Sequence, residues 1–245
     1  MVLTERDKLR YNRQILIPGW GEEGQEKIKN SKVFVAGAGG LGSPVSIYLA
    51  VGGVGHIRIV DKDVPELSNL NRQILHTEDD IGRSKAHSAK EKLTKINRDI
   101  KIECIKETIT EENVLDLVED SDVILDCMDN FPTRYALNRA AIEKKIPFVH
   151  ASIWGLEGRA TFIVPGETPC LECIFPTGPP KEVFPVLGTT PATMGCIQAT
   201  ETLKYLAGIG RLLKNRLLIY DGENMTFTEV KIRRNPKCPA CSKLY

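Results

Sequence analysis

The sequence has no surplus of charge of either sign. Thirty-three Lys and Arg stand against 32 Asp and Glu, a formal net charge of +1. That balance excludes a basic nucleic-acid coat or an acidic tail as the organising feature. The sequence also lacks any apolar run near the ~18–20 residues a membrane span requires. The first residues, MVLTERDKLRYNRQ, carry charges where a secretory leader needs an apolar centre. The expected location is therefore cytoplasmic, where thiols stay reduced. There is no internal repeat and no low-complexity tract. What remains is ordinary globular composition, 42% hydrophobic and 27% charged over 245 residues. A chain of this length buries roughly 70–75% of its unfolded surface and needs no staple to fold.

Against that background stand seven cysteines. Four form two pairs, Cys170-Leu171-Glu172-Cys173 and Cys238-Pro239-Ala240-Cys241. In a reduced compartment two C-x-x-C pairs point to a metal rather than to disulfides. Four thiolates make a closed tetrahedral site for structural Zn²⁺, which would tie the middle of the chain to its C-terminal part. The alternative is a pair of redox dithiols, for which no thioredoxin-like context is present. Cys104 falls in an apolar strand, Cys127 sits among aspartates, and Cys196 lies near a helix start, where burial against a sheet is the favoured reading over an activated thiol.

The pattern predicts helices and strands in alternation. Residues 20–30 read as a polar helix and Lys32–Ala36 as a buried strand. A helix follows from about Ser43 to Val51, then a strand His56–Val60, a charged helix 84–97 and a strand Ile100–Ile105. Val114–Glu119 is helical, Asp122–Leu125 a strand, 133–145 a helix and Pro147–Ala151 a strand. The expected fold class is α/β: a doubly wound, largely parallel, Rossmann-like sheet. The second half differs. Arg159–Val164 reads as a strand, 165–191 as a long irregular segment, Thr193–Leu206 as a helix, and Arg216–Asp221 with Thr226–Arg233 as an antiparallel hairpin. One domain over 1–245 is expected, with a nucleotide-binding half (1–150) and a half (151–245) carrying the loop, the cysteine knuckles and the hairpin.

Gly37, Gly39 and Gly42 give G-x-G-x-x-G between a strand and a helix. The glycines let the backbone approach a phosphate, and the helix N-terminus offers free N–H groups. Asp61 ends the next strand, where a carboxylate can accept bonds from ribose hydroxyls. The alternative is a glycine-rich packing turn. The fingerprint alone suggests NAD or FAD, but the loop that follows, Asp63 to Gln73, carries Arg72, and Lys85 opens the next helix. Cations here suit a triphosphate rather than hydride transfer. Asp129-Asn130 ends a later strand, so Asp129 could hold Mg²⁺ or cap the next helix. Alone, Arg72 or Lys85 reads as a solvated charge; placement on one sheet edge would make them a site.

Tyr11-Asn12-Arg13-Gln14-Ile15, Gly37 to Gly42, Ser68-Asn69-Leu70-Asn71-Arg72-Gln73, Lys85 and Asp126-Cys127-Met128-Asp129-Asn130 together resemble the MoeB/ThiF/HesA family of adenylyltransferases, relatives of ubiquitin-activating enzymes. The resemblance runs from about Arg10 to Cys241. It implies ATP and Mg²⁺. Gly40 and its neighbours would line the phosphates and Asp61 would hold the ribose. Asn69, Arg72 and Lys85 would stabilise the triphosphate and the transition state, with Ser68, Gln73 and Asn130 beside them, and Asp129 would bind Mg²⁺. Arg13 matches an arginine that reaches into the partner subunit's ATP site, which implies a homodimer; from the residues alone it could equally be a surface group. Zn²⁺ on the four cysteines is frequent in the family. Members that link covalently to their carrier place a cysteine in a crossover loop, near Lys181 here, yet no cysteine occurs from 174 to 195. The family's rhodanese extension is also absent from a chain ending at Tyr245, so sulfur is expected from a donor protein.

The implied reaction is adenylation of the Gly-Gly end of a small ubiquitin-like sulfur carrier of the molybdopterin or thiamine type. The alternatives are a small-molecule or tRNA-borne carboxylate on the same site, a nicotinamide dehydrogenase, and a zinc-stabilised adaptor. Residues 229–245 hold five basic side chains (Lys231, Arg233, Arg234, Lys237, Lys243) against Glu229. Without interleaved aromatics they read as a solvated edge rather than a nucleic-acid surface.

Overall fold

The computed structural model describes residues 1–179 and 184–244. Its centre is an eight-stranded sheet in the order β3-β2-β1-β4-β5-β6-β7-β8. The strands are β1 (Lys32–Ala36), β2 (His56–Val60), β3 (Lys101–Ile105), β4 (Val123–Asp126), β5 (Phe148–Trp154), β6 (Glu157–Ile163), β7 (Arg216–Asp221) and β8 (Thr226–Lys231). The first five pair in parallel, and β6, β7 and β8 extend the sheet antiparallel. The α/β class and the antiparallel extension agree with the reading of the sequence.

The inner parallel strands β1, β2 and β4 are buried on both faces, as crossover helices require. Side chains of a strand alternate between faces. Val33 and Val35 of β1 join a core with Ile57, Ile59, Val123 and Leu125, whereas Phe34 and Ala36 join a second core with Val60, Ile124 and Phe148. The first core is covered by α3 (Gly21–Lys29), α4 (Gly42–Gly52), α5 (Lys85–Ile96) and α9 (Thr189–Ala207). The second is covered by α6 (Val114–Val118) and α7 (Phe131–Lys144), with α8 (Leu171–Ile174) against α7.

Several boundaries differ from the sequence reading. Two short helices, α1 (Glu5–Arg10) and α2 (Asn12–Ile15), precede α3. Thr4 caps α1 in a capping box with Asp7, a T-x-x-D signal legible in the sequence. The segment 165–191 is not wholly irregular: it contains α8, and α9 starts at Thr189 rather than Thr193. Pro191 suggested loop, but proline is tolerated in a first helical turn, whose N–H groups have no partner within the helix. β5 runs on to Trp154 because it forms a hairpin with β6, and β8 stops at Lys231. The β7–β8 turn is where expected, with Asp221 accepting the Glu223 and Asn224 amides. No helix among the described residues is long and apolar enough to cross a membrane.

Candidate active site and cysteine cluster

Strand register decides which loops meet. Ala36 lies opposite Val60 on one side and Asp126 on the other. The segments that leave these three positions are Gly37–Gly42, Asp61–Gln73 and Cys127–Asn130, so all three open on the same sheet edge. β1 is also where strand order reverses, between β2 and β4, the place at which open α/β sheets bind ligands.

The glycine loop is held by sterics and by hydrogen bonds. Gly37 has φ +97°, in the region that favours glycine. A Cβ on Gly42 would lie 2.0 Å from the Gly37 carbonyl oxygen, so the helix can start there only without a side chain. The Ala38 N–H donates to Asp61 Oδ2 at 2.8 Å, and Asp61 Oδ1 accepts the Asp63 amide at 2.8 Å. Asp61 therefore already fixes two backbone segments, with lone pairs left over for a hydroxyl.

The Ser68–Gln73 segment lies over this loop. A Cβ on Gly40 would sit 3.6 Å from Arg72 Cγ and 3.3 Å from Pro191, and one on Gly39 would sit 3.6 Å from Gln73 Nε2. Arg72 Nη1 donates to the Ser68 carbonyl and to Asn71 Oδ1, both at 2.9 Å, which aims the guanidinium without neutralising it. Asn69 Oδ1 accepts the Glu66 amide at 3.3 Å, and its Nδ2 lies 3.4 Å from Ser68 Oγ. Lys85, the first residue of α5, is 6% exposed. Its ammonium has one charged neighbour among the described residues, Asp63 Oδ2 at 3.8 Å, beyond hydrogen-bond reach. Gln73 Oε1 and Ser84 Oγ are buried without a partner.

On the β4 side, Asn130 and not Asp129 caps α7, accepting the Thr133 amide at 3.0 Å. That leaves the exposed Asp129 carboxylate with only the Asn130 amide, at 3.3 Å, among the described residues. Arg13 is exposed on α2 and makes no hydrogen bond or ion pair among the described residues. The sequence reading assigned no role to Asp126, Arg134, His150 or Gln198. Asp126 Oδ2 bonds His150 Nδ1 at 2.6 Å and lies 3.4 Å from Arg134 Nε, all buried. Burial holds the His150 ring below its usual pKa, so Asp126 bonds a neutral imidazole. Gln198 donates to the Asp126 and Val149 carbonyls, fixing the end of β4. These contacts span β4, α7, β5 and α9, and no local spacing signals them.

The described residues on either side of 180–183 are fastened to the site. Tyr135 donates to the Phe175 carbonyl, and Gly188 packs so tightly that a Cβ would sit 2.2 Å from the Asn71 carbonyl oxygen. The crossover position near Lys181 lies outside the described residues.

The four paired cysteines form one cluster, their Sγ atoms all within 4.8 Å of one another. Close pairs are Cys173–Cys241 at 3.4 Å, Cys170–Cys238 at 3.6 Å and Cys170–Cys173 at 3.9 Å. Tetrahedral zinc with Zn–S near 2.3 Å separates its sulfurs by about 3.8 Å, so the set fits the ion. The Asn235 amide donates to Cys173 Sγ at 3.4 Å. The Leu171 amide donates to Asn138 Oδ1 at 2.9 Å, and Glu172 pairs with Arg139, so the first knuckle is fastened to α7. Cys127 and Cys104 are not reactive thiols: burial pushes Cys127 well up and Cys104 up to about 12.

A glycine loop, a buried lysine and an arginine at a strand-order reversal define an α/β nucleotide-binding enzyme. The ThiF family model matches residues 11–240, and the chain belongs to the ThiF family. It is an adenylyltransferase. It is 46% identical over 240 residues to the SAMP-activating enzyme E1 of Haloferax volcanii, covering 96% of this chain and 88% of that one. It is 42% identical over 249 residues to the sulfur carrier protein adenylyltransferase of Thermus thermophilus, covering 97% and 92%. Against the adenylyltransferase and sulfurtransferase MOCS3 of Drosophila sechellia the identity is 42% over 247 residues, and the chain spans about half of that protein, 54%. Among solved structures, E. coli MccB with ATP superposes with a TM-score of 0.87 at 25% identity, covering 98% of this chain and 77% of that one.

Proposed function

We propose that this chain activates the C-terminal carboxylate of a small ubiquitin-like sulfur carrier ending in Gly-Gly by joining it to AMP from ATP. The buried, nearly unpartnered ammonium of Lys85 beside the glycine loop carries this reading. A lysine this buried, with one carboxylate at 3.8 Å among the described residues, keeps donors free for an anion, and the anion that fits between a glycine loop and Arg72 is a triphosphate. The substrate class rests on kinship with the SAMP-activating and sulfur-carrier enzymes over nearly their whole length.

In this reading the glycine-loop amides and the α4 N-terminus bind phosphate oxygens, and Asp61 accepts from the ribose. A carrier carboxylate oxygen attacks the α-phosphorus, forming the acyl–phosphate bond. The bond from that phosphorus to its bridging oxygen breaks, and pyrophosphate leaves with the electron pair. Lys85, Arg72 and Asn69 counter the charge on the transferring and departing groups, and the enzyme otherwise acts by positioning two anions. Asp129, an exposed carboxylate spared from capping, suits Mg²⁺, which would neutralise phosphate charge when bound. Ser68, Gln73 and Asn130 would line the nucleotide beside these groups.

Arg13 would complete the site of a second subunit in a homodimer. The exposed apolar side chains Leu16 and Ile17 just after α2, and Tyr48 and Val51 on α4, are suited to an interface. Without a cysteine between 174 and 195, the adenylate would pass to sulfur from a separate donor protein. Zn²⁺ would be held by Cys170, Cys173, Cys238 and Cys241 as a closed site, bracing the knuckles and supplying no open position for chemistry.

The test is intact-mass measurement of Gly-Gly-ending carriers incubated with enzyme, ATP and Mg²⁺, alongside ATP–pyrophosphate exchange. A carrier gaining the mass of AMP, with carrier-dependent exchange, is the expected result. Exchange driven by small acids and by no carrier would overturn the substrate class.

A further inference from the structure

His76 takes no part in the reading above, yet it is 4% exposed and directly behind the glycine loop. Its Nε2 lies 2.9 Å from the Ala38 carbonyl oxygen and its Nδ1 2.8 Å from Ser88 Oγ on α5. A carbonyl only accepts, so the ring proton sits on Nε2. Burial also lowers the pKa of this ring, which favours the neutral form, with one donor and one acceptor. The acceptor Nδ1 then takes the Ser88 hydroxyl hydrogen, while the Lys92 ammonium donates to Ser88 Oγ at 3.0 Å. Lys92 is itself paired with Asp80, whose carboxylate accepts the Thr77 amide and hydroxyl. The ring is thus oriented from behind by an anchored chain of groups.

The consequence lies in the peptide that His76 touches. In a trans peptide the C=O and N–H point in opposite directions, and the described residues have no cis bonds. Drawing the Ala38 oxygen inward toward His76 turns the Gly39 N–H the other way, away from His76. The preceding peptide is fixed as well, because the Ala38 N–H is held by Asp61 Oδ2 at 2.8 Å. Both peptides of Ala38 are therefore set by the protein's own side chains.

We propose that His76 is a positioning residue that aims the Gly39 amide at a phosphate of the nucleotide. This rests on the ATP-site reading and adds to it a residue that never contacts the substrate. His76→Phe fills the space but removes the Nε2 donor, whereas His76→Gln keeps an N–H at about the same reach. The measurements are ATP affinity, inhibition of exchange by adenosine (which lacks phosphate), and kcat against KM for exchange. His76→Phe is expected to weaken ATP roughly ten- to a hundredfold, the range for a hydrogen bond to a charged group. Adenosine should hold within about twofold, and His76→Gln should recover most of the loss. Equal weakening of ATP and adenosine, or a glutamine variant no better than phenylalanine, would overturn the proposal, because a purely structural role predicts both. If His76→Phe does not fold, Ser88→Ala, which frees the ring without touching the loop, is expected to show a smaller loss of the same selectivity, and no selectivity there is equally fatal. Wild-type protein that binds no ATP would instead sink the nucleotide reading.

Discussion

The cysteine cluster and the nucleotide edge are built on opposite principles. At the cluster four sulfurs converge within 4.8 Å, an amide donates to one of them, and the knuckle is fastened to α7. Every ligating atom is used up by its neighbours. At the sheet edge the backbone is fastened as firmly, but the charged tips are left half-used: Lys85 has one neighbour at 3.8 Å, and Asp129 meets only a side-chain amide. A site that braces a fold satisfies itself. A site that acts keeps its scaffold satisfied and its functional atoms waiting.

That contrast can be broken by exchanging activity for stability. The largest effect is expected at Lys85→Ala and Arg72→Ala. Each should lower ATP–pyrophosphate exchange by about 10²–10³-fold, about 2.7–4 kcal/mol of transition-state stabilisation. Thermal unfolding should hold or rise, since removing a poorly paired buried cation relieves a cost. A large fall in Tm for Lys85→Ala would show that it braces the fold after all.

Cys238→Ser should do the reverse. We expect loss of bound zinc, measured by metal analysis, and a drop of about 3 kcal/mol, or about 6–12 °C in Tm for a chain of this length. Exchange below that transition should stay within severalfold of wild type. An inactive but undestabilised variant would put the cluster into the chemistry.

The smallest effect sharpens the scaffold side of the comparison. Burial alone would raise the Asp80 pKa, but Lys92 and the amide and hydroxyl of Thr77 hold it well below its ordinary 3.8. A carboxylate depressed in the folded state contributes stability above its unfolded pKa and loses that contribution as pH falls below it. Asp80→Asn should therefore cost about 1–2 kcal/mol at neutral pH and flatten the loss of stability below about pH 4, read by denaturation at several pH values. Unchanged acid unfolding would remove Asp80 from the anchored chain behind His76.

What was legible in the sequence was whatever repeats or crowds locally. The run KVFVA before GAGGLG gave β1 and its loop, because buried strands need β-branched residues and close turns need glycine. The two C-x-x-C spacings gave a cluster because each knuckle is itself a local structure. Thr4 and Asp7 also signalled α1, and the capping pattern went unread. The helix start at Thr189 stayed hidden behind Pro191, whose usual meaning is loop. His76 and His150 were not legible at all, and Asp126 was legible only as part of the motif DCMDN. Each acts through a partner 12 to 38 residues away, and a histidine in ILH or an aspartate in DCMD looks the same whether it packs or positions.

Ala38 carries one more consequence. With its amide on Asp61 and its carbonyl on His76, this stretch is held by the protein's own side chains. A loop fastened from within takes a smaller share of the free energy of association to order. More of the attraction between cations and phosphates then appears as affinity and is not consumed in freezing a loop.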